Sequence, residues 1–268
     1  MGYFDIDEQG ILKEFVPEMR EAEAIIPENV TEIGKNAFED CRNLESIIIP
    51  PGVMCINNNA FKNCRSLKRL VLPESVGEIR RSAFDGCRSL SDIVFPEGFM
   101  QINYSLVKDT LLYRNCTDDF MIINDVLIKY NGKEKEVTIP EGVKRIGDRT
   151  FSDHIEIEKI SIPESVTEIG KCAFANCVYL TDINIPESVV RIGPGAFKNC
   201  IRIEEMVLPA NISEIESKTF ENCNGLKRIV IPEKVTEIGA WAFNNCISSE
   251  KIVIPESVSK ILHSAFSN

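Results

Sequence analysis

Apolar positions recur along this chain with a period of 23 residues, and prolines mark the ruler. Pro27, Pro50, Pro73 and Pro96 are evenly spaced, as are Pro140, Pro163, Pro186, Pro209, Pro232 and Pro255. Three residues after each proline stands Val or a close equivalent. Six after stands Ile in all ten copies, Ile33 to Ile261, and eleven after stands Phe in nine, with Val107 the exception. Ten after is usually Ala, as in Ala37, Ala173 and Ala242, and seventeen after is usually Leu or Ile, as in Leu44 and Ile157. The pattern predicts three short elements per period. The run Leu-x-x-Ile-x-Ile is a β-branched strand closed by Pro, which cannot continue a ladder in mid-sheet. Val-x-x-Ile-Gly is a second extended piece, turned at Gly34, Gly147, Gly170, Gly193 or Gly239. Ala-Phe-x-x-Cys is a compact return, read as a single helical or 3-10 turn. One period cannot bury its own apolar side chains, but stacked copies place Ile on Ile and Phe on Phe in a continuous core.

The interval from Pro96 to Pro140 is 44 residues, two short of two periods. It contains Phe120 to Tyr130, two apolar segments around the polar Asn124-Asp125. The segment Phe4 to Phe15 is built the same way, and both read as β-hairpins. The first is expected to cap the stack. The expected organisation is therefore a capping hairpin over 1–26, a first repeat block over 27–118, a hairpin insertion over 119–139 and a second block over 140–268, forming one continuous solenoid.

The pattern Ile-Pro-Glu-x-Val-Thr-x-Ile-Gly-x-x-Ala-Phe-x-x-Cys-x-x-Leu, seen from Ile162 to Leu180, resembles the BspA-type (Treponema-type) leucine-rich repeats. The segment Val126-Leu127-Ile128-Lys129-Tyr130-Asn131-Gly132-Lys133 is similar to an element that introduces blocks of these repeats. The resemblance covers nearly the whole chain. It implies a right-handed leucine-rich-repeat solenoid of mostly short parallel β-strands, with short helical or 3-10 returns and two hairpin elements. It also implies a bacterial protein at the cell surface or secreted, of a kind linked to adhesion and to binding host protein or glycan. The N-terminal residues show no basic segment followed by an apolar one, so if this is the full native sequence the expectation is cytoplasmic.

Composition narrows the partners. The net charge of -11 argues against nucleic acid or an anionic membrane, both of which need excess Lys and Arg. No apolar run approaches the roughly 20 residues of a membrane span. Ten cysteines would suggest a disulfide framework in a small secreted chain, but a 268-residue chain that is 44% hydrophobic can build its core without staples. Seven of them, Cys41, Cys64, Cys87, Cys177, Cys200, Cys223 and Cys246, share the register fourteen after Pro. Stacked residues about 5 Å apart fall within disulfide range, yet they point the same way and no Cys-x-x-Cys pair exists, so an inert inward ladder is preferred over a metal or redox site. His154 occupies the same register and must find a partner or reach solvent. Cys55, Cys116 and Cys172 lie outside it and are reactive candidates if exposed.

Glutamate follows Pro at Glu28, Glu74, Glu97, Glu141, Glu164, Glu187, Glu233 and Glu256. Like charges at this spacing repel by roughly 0.8 kcal/mol per pair before screening. A cation or basic partner would relieve the ridge, while solvation alone also suffices, and no calcium motif accompanies it. No cofactor or metal is expected.

The strand before Pro has an outward column, two residues back, that includes Ile48, Val71, Val94, Val207, Val230 and Val253. Four residues back lies a charged column that includes Arg69, Asp92, Lys159, Asp182, Arg228 and Lys251. An apolar stripe beside mixed charge suits protein binding. It equally suits a stable exposed sheet with cross-strand pairs. This face is the preferred interaction surface, which makes the leading expectation a protein-binding scaffold and the alternative a bacterial adhesin. An enzyme is the competing class. His154 and His263 sit in no catalytic motif and no phosphate loop is present, so a catalytic cleft would have to lie near the 97–140 insertion. Asn29-Val30-Thr31 and Asn211-Ile212-Ser213 match the glycosylation pattern, which is common by chance. The last repeat stops at Phe266-Ser267-Asn268, before its Cys register, and an uncapped end exposes strand edges. Homodimer pairing through that end is the corresponding expectation.

Overall fold

The computed structural model describes residues 2–249 and 251–267; Met1, Glu250, Asn268 and the side chain of Lys251, counted above in the charged column, lie outside the described residues. The chain forms two compact units, Met1–Thr117 and Asp118–Asn268.

The first unit opens with an antiparallel hairpin, Tyr3–Ile6 against Ile11–Val16, that sets Phe4 opposite Phe15. Its turn is fixed by Asp7, whose Oδ1 accepts the N–H of Gln9 at 3.0 Å and of Ile11 at 2.9 Å. These backbone bonds, the Ile11 one foremost, hold the Asp7 carboxyl below the usual range. Gly10 lies at φ +83, and a Cβ there would stand 2.8 Å from the Asn29 carbonyl oxygen. Ile11 and Leu12 then pair in parallel with Glu32 and Ile33, and the ladder continues through Cys55–Ile56 to Glu78–Ile79. The hairpin thus supplies the first rung of the stack. The strands before the prolines form a second parallel sheet, Glu23–Ile25, Ser46–Ile48, Arg69–Val71 and Asp92–Val94. In each of them the central residue, Ala24, Ile47, Leu70 or Ile93, is buried. After Pro96 the regular turn gives way to two single-turn helices, Tyr104–Val107 and Leu111–Arg114, which the repeat pattern does not announce. Asn103 and Thr110 cap them with side-chain oxygens.

The second unit repeats the plan. Phe120–Ile123 pairs antiparallel with Val126–Tyr130. Asn124 and Asp125 between them both have positive φ, 47 and 62, the geometry of a hairpin turn matched to strand twist. Val126 and Leu127 then pair in parallel with Arg145 and Ile146, followed by Glu168–Ile169 and Arg191–Ile192. The strands before the prolines fall into two three-stranded sheets. One joins Glu136–Thr138, Lys159–Ser161 and Asp182–Asn184; the other joins Glu205–Val207, Arg228–Val230 and Lys251–Val253. The companion ladder breaks at the same turn, resuming at Glu214–Ile215.

Aromatic rings run through the core of each unit. In the first, Phe15, Phe38, Phe61 and Phe84 stack at centroid spacings of 5.2, 5.3 and 5.8 Å. In the second, Tyr130 meets Phe151 at 5.1 Å, and Phe174, Phe197, Phe220 and Phe243 follow at 5.3 to 5.6 Å. Each hairpin therefore delivers the first aromatic of a spine. The returns carry hydrogen bonds to the third residue back, such as Cys177 N–H to Phe174 O at 3.2 Å, which is the 3-10 pattern. Residues nine and thirteen after Pro interrupt it with left-handed backbone, as at Asn36 (φ 63), Asp40 (φ 63), Cys172 (φ 53) and Asn176 (φ 65). Asn tolerates that region better than most residues, and it recurs at the thirteenth position for a second reason. Asn176 donates to Asp153 at 2.6 Å, Asn199 to Asn176 at 2.5 Å, Asn222 to Asn199 at 2.7 Å and Asn245 to Asn222 at 3.1 Å. This amide ladder ties successive turns at the surface as the rings do inside. The turn glycines serve close approach: a Cβ on Gly193 would lie 2.8 Å from the backbone carbon of Gly170.

Candidate functional site: the faces of the strand sheets

Strand alternation places the candidate residues outward. In the first unit Ile48, Val71 and Val94, with Ile25, form one row on a single sheet, exposed by 50, 47, 41 and 45%. Arg69 and Asp92 run beside them and pair at 2.9 Å. In the second unit the candidates divide. Lys159 and Asp182 pair at 2.9 Å on a sheet whose outward row is polar, Thr138, Ser161 and Asn184. Val207, Val230 and Val253, exposed by 65, 60 and 59%, form an apolar row on the other sheet, where Arg228 pairs with Glu205. The single column seen in sequence is thus three surfaces, two aliphatic and one polar. Its charges are largely committed to neighbours one turn away. Lys68–Glu45, Lys135–Glu158 and Lys227–Glu204 add further rungs at 2.6, 2.7 and 2.8 Å. Exposed pairs like these are screened by solvent and mainly fix register. The aliphatic rows also pair across strands, Val71 beside Val94 and Val230 between Val207 and Val253, and keep an exposed outer face.

The other candidate columns have structural work. Along the glutamate ridge, Glu74 accepts the N–H of Glu97 at 3.0 Å and Glu187 that of Ala210 at 2.9 Å, so carboxylates bind the backbone of the next turn. Among the described residues no group of three or more His, Cys, Asp or Glu side chains converges as a metal site would. All ten cysteines are free, and the seven in register are buried. Their thiols donate to the carbonyl of the preceding spine aromatic, as Cys87 does to Phe61 at 3.0 Å and Cys223 to Phe197 at 3.1 Å. Burial pushes the Cys41 and Cys246 thiols up to about 11 and Cys177 to about 12. Outside the register, Cys55 is half-buried and also raised to about 11, first by burial, with its Sγ 3.7 Å from Glu78 Oε2.

His154 finds its partners. Nδ1 lies 2.7 Å from Glu156 Oε1 and Nε2 3.2 Å from the Tyr130 carbonyl oxygen. It does for the first turn of this unit what Cys does in later turns, binding the spine aromatic before it. A shallow cleft of about 430 Å³ beside it is lined by Asn131, Gly132, Lys133, Asp153, His154 and Glu156. Both imidazole nitrogens therefore face oxygen acceptors rather than the cleft alone. His263 is exposed and lies edge-on to Trp241, with centroids 4.4 Å apart, while Lys218 Nζ sits 4.9 Å above the Trp241 ring.

No curated protein matches the chain. Solved structures similar to it include a leucine rich cell surface protein from Faecalibacterium prausnitzii, 27% identical over 90% of this chain and 59% of that one, with a TM-score of 0.46. They include a leucine-rich repeat protein from Bacteroides ovatus, 22% identical over 100% of this chain and 88% of that one, TM-score 0.40. They also include the pneumococcal vaccine antigen PcpA, 17% identical over 96% of this chain and 77% of that one, TM-score 0.38. This chain spans 59% of the length of the F. prausnitzii protein. The BspA type leucine rich repeat region matches residues 18–117 and 121–246, in six copies, and with the spine, ladders and returns described above the chain belongs to the BspA-type leucine-rich repeat family.

Proposed function

We propose that this protein is a non-enzymatic scaffold that binds a partner protein through the aliphatic rows of its strand sheets. The observation that supports this reading is the exposure of Ile48, Val71 and Val94 in one unit and of Val207, Val230 and Val253 in the other. Fully burying a Val or Ile side chain stabilises by roughly 1.5–3 kcal/mol, so each half-exposed residue has about 1 kcal/mol to gain from a cover. The row of pairs beside it, Arg69–Asp92 and Arg228–Glu205, presents alternating charge that would orient a partner more than hold it. Membership of this family supports a second reading in which the scaffold is a bacterial cell surface adhesin and the partner a host protein or glycan.

The test is capture from bacterial and host extracts by wild type and by a Val71→Lys, Val94→Lys, Val230→Lys variant whose circular dichroism and melting are unchanged. A specific protein retained by wild type and lost by the variant supports the faces as the binding surface. Equal retention by both overturns it.

A further inference from the structure

We propose that a cleft at the end of the regular ladder of the first unit binds a small carboxylated sugar. The cleft measures about 470 Å³ and is lined by Asn58, Glu78, Arg80, Arg81, Ser82 and Ser105, among others. Its origin is a break in the repeat. In earlier turns the N–H nine residues after Pro donates to the turn above: Asn36 to Asn58 O at 3.1 Å and Asn59 to Arg81 O at 3.1 Å. The next rung would join the Ser82 N–H to the Tyr104 carbonyl. The helix Tyr104–Val107 takes that carbonyl for itself, where it accepts from Lys108 N–H at 2.9 Å. Ser82, held at φ 58, keeps an N–H with no acceptor among the described residues. Four residues along, the equivalent loss at Gly86 is repaired by Asp109 Oδ2 at 3.2 Å. At Ser82 no described residue does so.

The surroundings of that amide define the ligand. Arg81 is exposed beside it, and Arg80 is held in place by Glu78, Nε to Oε1 at 3.0 Å and Nη2 to Oε2 at 3.2 Å, and by Asn57 Oδ1 at 2.7 Å. Arg80 is thus neutralised by Glu78, with Glu32 close behind Asn57, whereas Arg81 forms no ion pair among the described residues and is the charge open to a ligand. An oxyanion placed there would accept from Ser82 N–H and from Arg81, in the manner of anion-binding backbone concavities. A bare anion would also face the Glu78 carboxylate and the Ser105 hydroxyl, whose proton is given to Asn103 Oδ1 at 2.5 Å. Those acceptors call for hydroxyl donors on the same ligand. A carboxylate joined to a polyhydroxylated ring supplies both. This site is separate from the aliphatic rows and stands or falls independently of them.

The experiment titrates the full chain with sodium glucuronate, followed by backbone amide NMR shifts, with glucose and acetate as half-ligands. Saturable shifts centred on Ser82 are expected, with acetate at least about tenfold weaker and glucose weaker still. Arg81→Ala, at an exposed position, should weaken glucuronate at least about tenfold, and Arg42→Ala, away from the cleft, should not. Absent or unsaturable shifts, glucuronate binding indifferent to Arg81→Ala, or acetate binding as well as glucuronate would each overturn the proposal.

Discussion

The Phe174 carbonyl oxygen receives two donors: the Cys177 N–H of its own turn at 3.2 Å and the Cys200 thiol of the next at 3.1 Å. The register repeats at Phe151, Phe197 and Phe220, and His154 reproduces it at Tyr130 with an imidazole. A buried carbonyl left with spare capacity is costly, and the thiol is a small apolar group that can still fill it. The cysteine column is a set of inter-turn clasps.

Two outcomes follow for the thiols. At pH about 8, Cys41, Cys177, Cys200, Cys223 and Cys246 should resist a thiol reagent until the chain unfolds, because burial disfavours the thiolate the reagent needs. Mass spectrometry of labelled peptides checks this, and native-state labelling at the buried register would refute the clasp. Cys200→Ala should destabilise by about 1–2 kcal/mol through the lost donor and the small void, and Cys200→Ser, which keeps a donor, by less.

The ring spine should be the main source of cohesion. Phe197 is fully buried between Phe174 and Phe220, at 5.4 and 5.6 Å. Phe197→Ala should cost about 3–5 kcal/mol in denaturant unfolding. Because stability in stacked repeats is nearest-neighbour, hydrogen exchange should quicken most in the turns on either side.

The acid limb of stability should carry a signature of Glu156. Partial burial raises its carboxyl, but the His154 hydrogen bond and the other favourable contacts outweigh that and leave it below the usual 4.5. A depressed folded value means the contribution is fully present above pH about 4.5 and is lost as pH falls through the folded value. Glu156→Gln should therefore destabilise the chain at pH about 5.5, and the gap from wild type should shrink by pH about 3.5. A gap that widens on acidification would show that the pair does not act this way.

Much of the fold is legible in the chain because one period dictates both spacing and burial: prolines close the strands, and Ile and Phe positions are the core. The hairpins are legible too, since Asn124-Asp125 and Asp7 to Gly10 are turn residues between apolar runs. Less visible are features set by what the next turn offers. The Asn176-to-Asn245 ladder stands in plain sight before each Cys, but its meaning depends on amides meeting across turns. Likewise nothing in Tyr104 to Arg114 overrides the repeat by itself; the helices depend on Asn103 and Thr110 capping them in place. Of the candidate face, the outward direction is readable from alternation. The division into aliphatic and polar sheets is not, because the ladder break between Asn184 and Glu205 is a tertiary event.

The central claim is that the aliphatic rows bind the partner, and the most direct measurement is the affinity of a captured, purified partner for three proteins by calorimetry. These are wild type, the Val71→Lys, Val94→Lys, Val230→Lys variant and a ridge control, Glu164→Lys with Glu187→Lys. A loss of at least about tenfold, roughly 1.4 kcal/mol, in the face variant alone is the expected result. Undiminished affinity in the face variant, with loss in the ridge control, would contradict the account and move binding to the acidic ridge.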